Sequence, residues 1–186
     1  MALELLGDRG LPWTEEDYLA LAKTRDRVEL IDGSLIVTPA PTPFHQDVSW
    51  NLTNVFRRPA RDAGLRVYEA VNVRLRQGRI PIPDLVIVEP IDPNQPVIDA
   101  SAVRLVAEIV SRHNVAADTV LKMKLYADAG IPWYLLVKPT RVTVMLELFR
   151  LDRGSYVRHD TAAPDLPLVM TEPVSVRIDP KGLISG

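Results

Sequence analysis

The chain has 186 residues, of which 47% are hydrophobic and 25% are charged, and its formal net charge is −2. This is the composition of an ordinary globular protein, and the charge balance gives no sign of a strongly basic nucleic-acid-binding protein. The absence of cysteine excludes disulfide bonds, thiolate zinc sites and a cysteine nucleophile.

The length favours one domain that spans residues 1–186. The first ten residues, MALELLGDRG, lack the basic segment and apolar core of a signal peptide. No apolar run approaches the roughly 18 residues of a membrane span. We therefore expect a soluble, cytoplasmic protein.

The N-terminal part of the chain predicts a helix, a hairpin and a longer helix, in that order. Thr14 is a typical N-cap, and three acidic residues follow it in the first turn. The segments RVELID and SLIVTP meet at Asp32-Gly33, which predicts a β-hairpin with its turn there. Beyond a proline cluster, apolar residues recur at helical spacing from about Phe44 to Asp62.

The rest of the chain predicts strands and one further helix. We predict strands at 66–75, 84–88, 104–110, 132–137, 142–151, 155–159 and 174–178, a loop at 90–99 and a helix at 115–129. This order fits a mixed β-sheet flanked by helices, of the α/β or α+β class. The strand at 142–151 is apolar enough to indicate either a buried position in the sheet or a homodimer contact.

Two acidic residues are candidates for a functional site. Asp84 follows two prolines and begins the run DLVIV; the commonest environment of such an aspartate is a solvated loop. Glu108 interrupts the apolar run LVAEIV, which reads as a buried strand. A carboxylate is almost never buried without a partner, so Glu108 requires either a structural Arg or Lys or a bound cation.

The helix at 115–129 contains two lysines that project in different directions. At about 100° per residue, Lys124 and Asp128 fall on the side expected to face solvent, whereas Lys122 falls in the apolar half, which contains Leu121, Leu125, Tyr126 and Ala129. Lys122 therefore faces the sheet in this prediction. Its aliphatic stem could simply pass the sheet edge, or its ammonium could pair with Asp118; a role in a site is equally compatible with the pattern.

Two converging carboxylates repel each other unless a proton or a cation intervenes. Oxygen ligands without cysteine suit Mg²⁺ or Mn²⁺, and a nearby lysine could orient water or stabilise charge on a phosphate. Asp84, Glu108 and Lys122 thus form a set suited to phosphodiester hydrolysis. The acidic net charge is the objection, although local arginines could supply a phosphate-binding footprint; they are Arg57, Arg58, Arg61, Arg74, Arg76 and Arg79.

The chain resembles the Uma-two family, a branch of the PD-(D/E)XK superfamily of restriction-endonuclease-like nucleases. The resemblance is carried by an ordered set of segments: TEEDYLAL (14–21), RVELIDGSLIV (27–37), TPFHQDVSWNL (42–52), PIPDLVIV (81–88), LVAEIVS (105–111) and DTVLKMKLYADAGIPWYLLVKP (118–139). It implies a restriction-endonuclease-like core preceded by a helix and a hairpin. It also implies a DNA-cleaving enzyme that depends on Mg²⁺ or Mn²⁺.

Position by position, the family pattern implies metal ligation by Asp84 and Glu108 and a catalytic role for Lys122. Glu29 and His45 match its other recurrent polar positions, which implies auxiliary contacts to metal or water. The superfamily lysine that usually follows the acidic residue by two is replaced by Val110, and Lys122 matches the lysine that this branch carries on the following helix.

The chain also departs from the family pattern at SRHN (111–114) and at Lys138, where relatives often carry S-P-S-T and Asp. Two other functions remain open. One is a nuclease-like fold that binds nucleic acid or protein with little activity. The other, a glycoside hydrolase with two carboxylates, leaves Lys122 without a role.

Overall fold

The computed structural model describes residues 11–21, 27–110, 117–140 and 143–184. The α-helices in these ranges are α1 (Glu15–Leu19), α2 (Pro43–Asp62) and α3 (Ala117–Asp128). The strands are β1 (Arg27–Ile31), β2 (Ser34–Thr38), β3 (Arg66–Glu69), β4 (Val73–Arg74), β5 (Arg79–Ile80), β6 (Leu85–Val88), β7 (Ile98–Asp99), β8 (Val103–Ile109), β9 (Trp133–Pro139), β10 (Val144–Asp152), β11 (Ser155–Ala162), β12 (Leu168–Met170) and β13 (Val176–Ile178). Short 3₁₀ helices occupy Ala100–Ala102 and Pro180–Leu183.

A six-stranded sheet in the order β11-β10-β9-β8-β6-β3 forms the centre of the fold. Strands β8 and β9 are parallel, and the other neighbouring pairs are antiparallel. A parallel pair needs a crossover connection, and the segment that contains α3 supplies it. Strands β6, β8 and β9 are buried over nearly their whole length, which explains why their sequences are almost continuously apolar.

Helices cover both faces of this sheet. On one face, Leu52 and Phe56 of α2 belong to the same buried cluster as Leu105 and Leu135 of the sheet. On the other face, Tyr126 of α3 belongs to a cluster that includes Val106, Tyr134 and Leu136. Each such side chain contributes roughly 1.5–3 kcal/mol through burial, so these contacts fix the positions of both helices on the sheet.

Strands β2, β1 and β5 form a separate three-stranded sheet, in that order. Its hairpin turn places Asp32 at φ 50° and Gly33 at φ 84°, the left-handed conformations that a two-residue turn requires. A Cβ atom at Gly33 would lie only 2.7 Å from Cβ of Pro12, so the turn also packs against the segment before α1. The hairpin thereby orients β1, which carries Arg27 and Glu29.

The mixed sheet flanked by helices confirms the predicted fold class. The predicted strand at 66–75 is in fact two strands, because Ala70 adopts φ 50° and redirects the chain; β3 pairs with β6 and β4 pairs with β7. The loop predicted at 90–99 ends in β7, and β12 has no counterpart in the prediction. Within the described ranges, no helix combines the length and the apolar character needed to cross a lipid bilayer.

Candidate active site

Asp84 and Glu108 lie side by side at one end of the paired region of β6 and β8. Leu85 is opposite Ala107 in this antiparallel pair, so continuing the register by one residue places Asp84 opposite Glu108. Opposite residues of antiparallel strands project to the same face. The backbone N–H of Ile109 donates to Asp84 Oδ2 at 2.8 Å, which joins the two strands at this point. Both carboxylates are buried.

Glu108 has two partners on α3. The hydroxyl of Tyr126 donates to Glu108 Oε1 at 2.6 Å, and Lys122 Nζ lies 3.3 Å from the same oxygen. Burial raises the pKa of Glu108 to about 7, against the opposing effect of the Lys122 charge. A carboxyl group with such a pKa exchanges its proton near neutral pH, a property found often at catalytic positions and also in structural networks.

Lys122 joins two carboxylates from different parts of the chain. Its Nζ lies 3.2 Å from Oε1 of Glu29 in β1 and 3.3 Å from Oε1 of Glu108 in β8. The side chain of Lys122 is 13% exposed, whereas that of Lys124 is 72% exposed and pairs with Asp128. The predicted orientation of the two lysines is therefore confirmed.

The helical projection was wrong at one residue of α3, since Leu121 is 43% exposed. The buried face of the helix is therefore rotated away from Leu121 and towards Ala127, which is buried. Of the other predictions near this helix, the side chain of Asp118 and the SRHN segment (111–114) lie outside the described residues.

Glu29 contributes to the cluster from the hairpin. It is buried, and besides Lys122 its Oε1 accepts a hydrogen bond of 2.7 Å from the backbone N–H of Ile82. Ile82 lies two residues before Asp84 in the chain. Glu29 therefore fixes β1, the segment that leads to Asp84, and α3 relative to one another.

Asp84 is surrounded by basic groups and hydrogen-bond donors. Arg27 Nη1 lies 2.6 Å from Oδ1, and His45 Nε2 lies 3.4 Å from Oδ2. Burial alone would raise the pKa of Asp84, but the His45 hydrogen bond and the Arg27 charge outweigh it and hold this pKa well below the ordinary value. Burial alone would lower the pKa of Arg27, but the charges of Asp84 and Glu108 raise it above its usual range.

His45 owes its position to the first turn of α2. The side chain of Thr42 caps this helix by accepting a hydrogen bond from the backbone N–H of His45. Pro43 at the first helical turn is pre-organised for the same geometry. The cap therefore places the imidazole of His45 beside Asp84. Helix α2, which carries His45, and helix α3, which carries Lys122, cover different faces of the central sheet.

A cavity of about 210 Å³ opens onto this cluster. Four of the five residues predicted as the site line it: His45, Asp84, Glu108 and Lys122. Residues 38–42 and Tyr134 complete much of the wall. The sequence prediction omitted Arg27, which also lines the cavity, and Tyr126, which holds Glu108.

Local spacing contained a signal for both omitted residues. Arg27 precedes Glu29 by two residues in a strand, so the two side chains share a face. Tyr126 follows Lys122 by four residues in a helix, so these side chains are neighbours as well. Each residue could have been found once its neighbour had been chosen.

The donor set fits a hard divalent cation in its chemistry. Mg²⁺ commonly binds one or two protein carboxylates and completes its shell with water and substrate phosphate, and Asp84 and Glu108 supply such a pair. Among the described residues, however, no three His, Asp or Glu side chains form a group that could hold a metal ion. Arg27 already contacts Asp84 Oδ1, so a cation would share or replace that contact.

The basic residues predicted as a phosphate-binding footprint divide into two sets. Arg74 pairs with Glu15 and Asp99, and Arg76 and Arg79 both pair with Asp32. These ion pairs neutralise the cluster at 74–79. In contrast, Arg57, Arg58 and Arg61 are exposed on α2, where Arg58 contacts Asp62.

Comparison with known proteins gives a family match and a structural match for this chain. A family model named Uma2 and described as "Putative restriction endonuclease" matches residues 15–179. The crystal structure of "a putative nuclease belonging to DUF820" from Anabaena variabilis superposes with a TM-score of 0.75 at 17% sequence identity, covering 93% of this chain and 98% of that chain. At this identity the likeness shows the fold alone, and the expected restriction-endonuclease-like core is confirmed. No curated protein gives a significant sequence match.

Proposed function

The chain belongs to the Uma2 family of restriction-endonuclease-like proteins, and on that premise we propose that it is an endonuclease that hydrolyses DNA phosphodiester bonds with Mg²⁺ or Mn²⁺. One observation carries the proposal: two buried carboxylates, Asp84 and Glu108, and a nearly buried lysine, Lys122, converge on one cavity. Ionisable groups with perturbed pKa values that share a cleft are typical of functional sites.

Asp84 and Glu108 are the residues that would hold the cation. When bound, it would lower the pKa of the attacking water and stabilise the charge that develops on the phosphate. Asp84 is suited to this role because its low pKa keeps it ionised at any physiological pH. Bringing a divalent cation next to Glu108 would favour its ionised form as well.

Lys122 would orient the attacking water and stabilise the phosphate oxygens. Its Nζ is held between Glu29 and Glu108, which fixes an ammonium group at the wall of the cavity. A fixed donor stabilises developing charge without reorganisation during the reaction. Glu29 would position Lys122 from behind, since it contacts the lysine but does not line the cavity. His45 would assist at Asp84, as a metal or water contact.

Cleavage of plasmid and single-stranded DNA in Mn²⁺, in Mg²⁺ and in EDTA tests this proposal. We expect the wild type to cut DNA with either metal and to lose activity in EDTA. Lys122→Ala should reduce the rate by about a hundredfold or more, a typical effect of removing one electrostatic catalytic group. Lys124→Ala is the matched control and should cut like the wild type. Equal losses in the two variants, or no loss in either, would contradict the assignment of Lys122.

A catalytically weak nuclease fold that binds nucleic acid or protein is the second candidate. The contact between Arg27 and Asp84 favours it, because this ion pair neutralises a carboxylate without a metal. This alternative predicts that the wild type binds DNA or a protein but cuts no DNA in either metal.

A single domain over residues 1–186, a cytoplasmic location and a homodimer remain part of our proposal.

A further inference from the structure

Arg27 uses only part of its hydrogen-bonding capacity. Its Nη1 donates to Asp84 Oδ1 at 2.6 Å. Its Nε and Nη2 are buried and have no hydrogen-bond partner. Buried donors without protein acceptors are rare and costly, and each requires an explanation such as a catalytic role, an ordered water or a bound ion. The ion pair with Asp84 accounts for the burial of Nη1. It does not account for the burial of Nε and Nη2.

The two unsatisfied donors form one geometric unit. The Nε–H and Nη2–H bonds lie along the same edge of the planar guanidinium and point in nearly parallel directions. This edge matches a pair of oxygens on one phosphate or carboxylate. Glu29 and Glu108 act on Arg27 through their charge, but neither accepts a hydrogen bond from it. The nearby carboxylates therefore leave this edge unoccupied.

The position of Arg27 favours phosphate as the missing acceptor. Arg27 lines the same cavity as Lys122 and His45, so three basic groups surround this space. A tetrahedral phosphate diester offers two non-bridging oxygens that share one negative charge. A carboxylate ligand would present a similar pair of oxygens, but the reaction proposed for this cavity makes phosphate the relevant anion.

We propose that the Nε–Nη2 edge of Arg27 binds the two non-bridging oxygens of the DNA phosphodiester while Nη1 stays on Asp84. The identity of the substrate rests on the proposed function; the free edge of the guanidinium does not. Both donors are shielded from solvent in this structure. Phosphate entry therefore requires the guanidinium to turn about its contact with Asp84, or the cavity wall at residues 38–42 to shift.

Arg27→Lys separates this role from that of a counter-ion. Lysine keeps the positive charge and can pair with Asp84, but it has no second edge. We expect Arg27→Lys to melt within a few degrees of the wild type. Its affinity for a fluorescein-labelled DNA duplex in EDTA at low salt should fall by about tenfold to a hundredfold, the effect of losing charge-assisted hydrogen bonds. In Mn²⁺, KM should rise by a similar factor.

Arg104→Lys is the matched control, because Arg104 in β8 pairs with a carboxylate, that of Glu89, but does not line the cavity. It should bind DNA like the wild type. Wild-type affinity and wild-type KM in Arg27→Lys would overturn the inference. A large fall in its melting temperature would overturn it too, since the second edge would then be needed for folding. If the wild type cuts no DNA in any metal, the proposed function fails, whereas the binding comparison in EDTA still decides the role of Arg27.

Discussion

Glu108 is tolerated inside a central strand because α3 brings it a phenol and an ammonium group. The helical projection of the sequence predicts the ammonium of Lys122, since a lysine within an apolar face is conspicuous. It does not predict the phenol, because tyrosine fits an apolar face as well as leucine does. Arg27 shares a strand face with Glu29, two residues later, but its contact with Asp84 is not visible in the sequence, because 57 residues separate the two and only the folded hairpin brings them together.

Tyr126→Phe tests the contact that supports Glu108. The substitution removes a 2.6 Å hydrogen bond to a buried carboxyl oxygen and keeps the ring. We expect the free energy of unfolding to fall by roughly 1–3 kcal/mol, the usual effect of losing a hydrogen bond to a buried carboxyl group. Urea denaturation measures it. Tyr156→Phe, which removes a hydrogen bond to the neutral carbonyl of Ile131, should have a smaller effect. Equal stability of Tyr126→Phe and the wild type would refute this account.

The pKa of Glu108 predicts a pH dependence of stability in the metal-free protein. In the folded state the pKa is raised to about 7 from an ordinary value of 4.5. Between these values the unfolded chain loses the proton while the folded chain keeps it, so stability decreases as pH rises through this range. Urea denaturation in EDTA should show the wild type losing stability relative to Glu108→Gln from about pH 4.5 to 7. A difference that stays constant over this range would disprove it.

At the scale of elements, periodicity predicts the helices and buried strands well, because one residue pattern decides each of them. Pairing across the chain is less visible. The short strands β4 and β7 pair with each other across a long stretch of chain that begins after the break at Ala70, whereas β12 pairs with the nearby β13 but is too short to show a pattern. The hairpin turn is an exception, because Asp-Gly encodes its own geometry.

Gly33→Ala tests how the hairpin that carries Arg27 and Glu29 is held. Gly33 and Gly154 have similar positive φ angles of 84° and 81°, but only at Gly33 would a Cβ atom meet a neighbour, Pro12, at 2.7 Å. Gly154→Ala should therefore show the cost of the backbone conformation alone, roughly 1 kcal/mol. Gly33→Ala should lose clearly more in thermal or urea unfolding. Equal losses would mean that the turn does not depend on the contact with Pro12.

The exposed face of α2 is the surface that we expect to contact DNA. Arg57 and Arg61 are exposed there, unlike the paired arginines at 74–79. In Arg57→Ala/Arg61→Ala, the slope of log affinity for a DNA duplex against log salt should become shallower by about 0.9 for each lost phosphate contact. Arg76→Ala, at a residue that already pairs with Asp32, should change the slope less. If Arg76→Ala had the larger effect, the DNA would lie on another face.

For the whole molecule, the order of elements predicts the architecture, and the family resemblance predicts the core. The net charge of −2 gave little information about the surface, because it does not show where the charges lie. The arginines at 74–79 are paired with carboxylates, whereas the arginines on α2 are exposed. Convergence of residues 29, 45, 84, 108 and 122 could not be derived from local pattern, since five separate elements contribute them. The residue pattern singled out Asp84, Glu108 and Lys122, the resemblance added Glu29 and His45, and the fold brings the five together.

Isothermal calorimetry of Mn²⁺ binding tests most directly whether Asp84 and Glu108 form a divalent cation site. The account predicts that the wild type binds Mn²⁺ and that Asp84→Asn binds it at least about tenfold more weakly, since removing one charged ligand is costly. Asp128→Asn, which changes a carboxylate paired with Lys124 on the surface of α3, should bind like the wild type. No Mn²⁺ binding by the wild type, or equal binding by Asp84→Asn, would contradict the account.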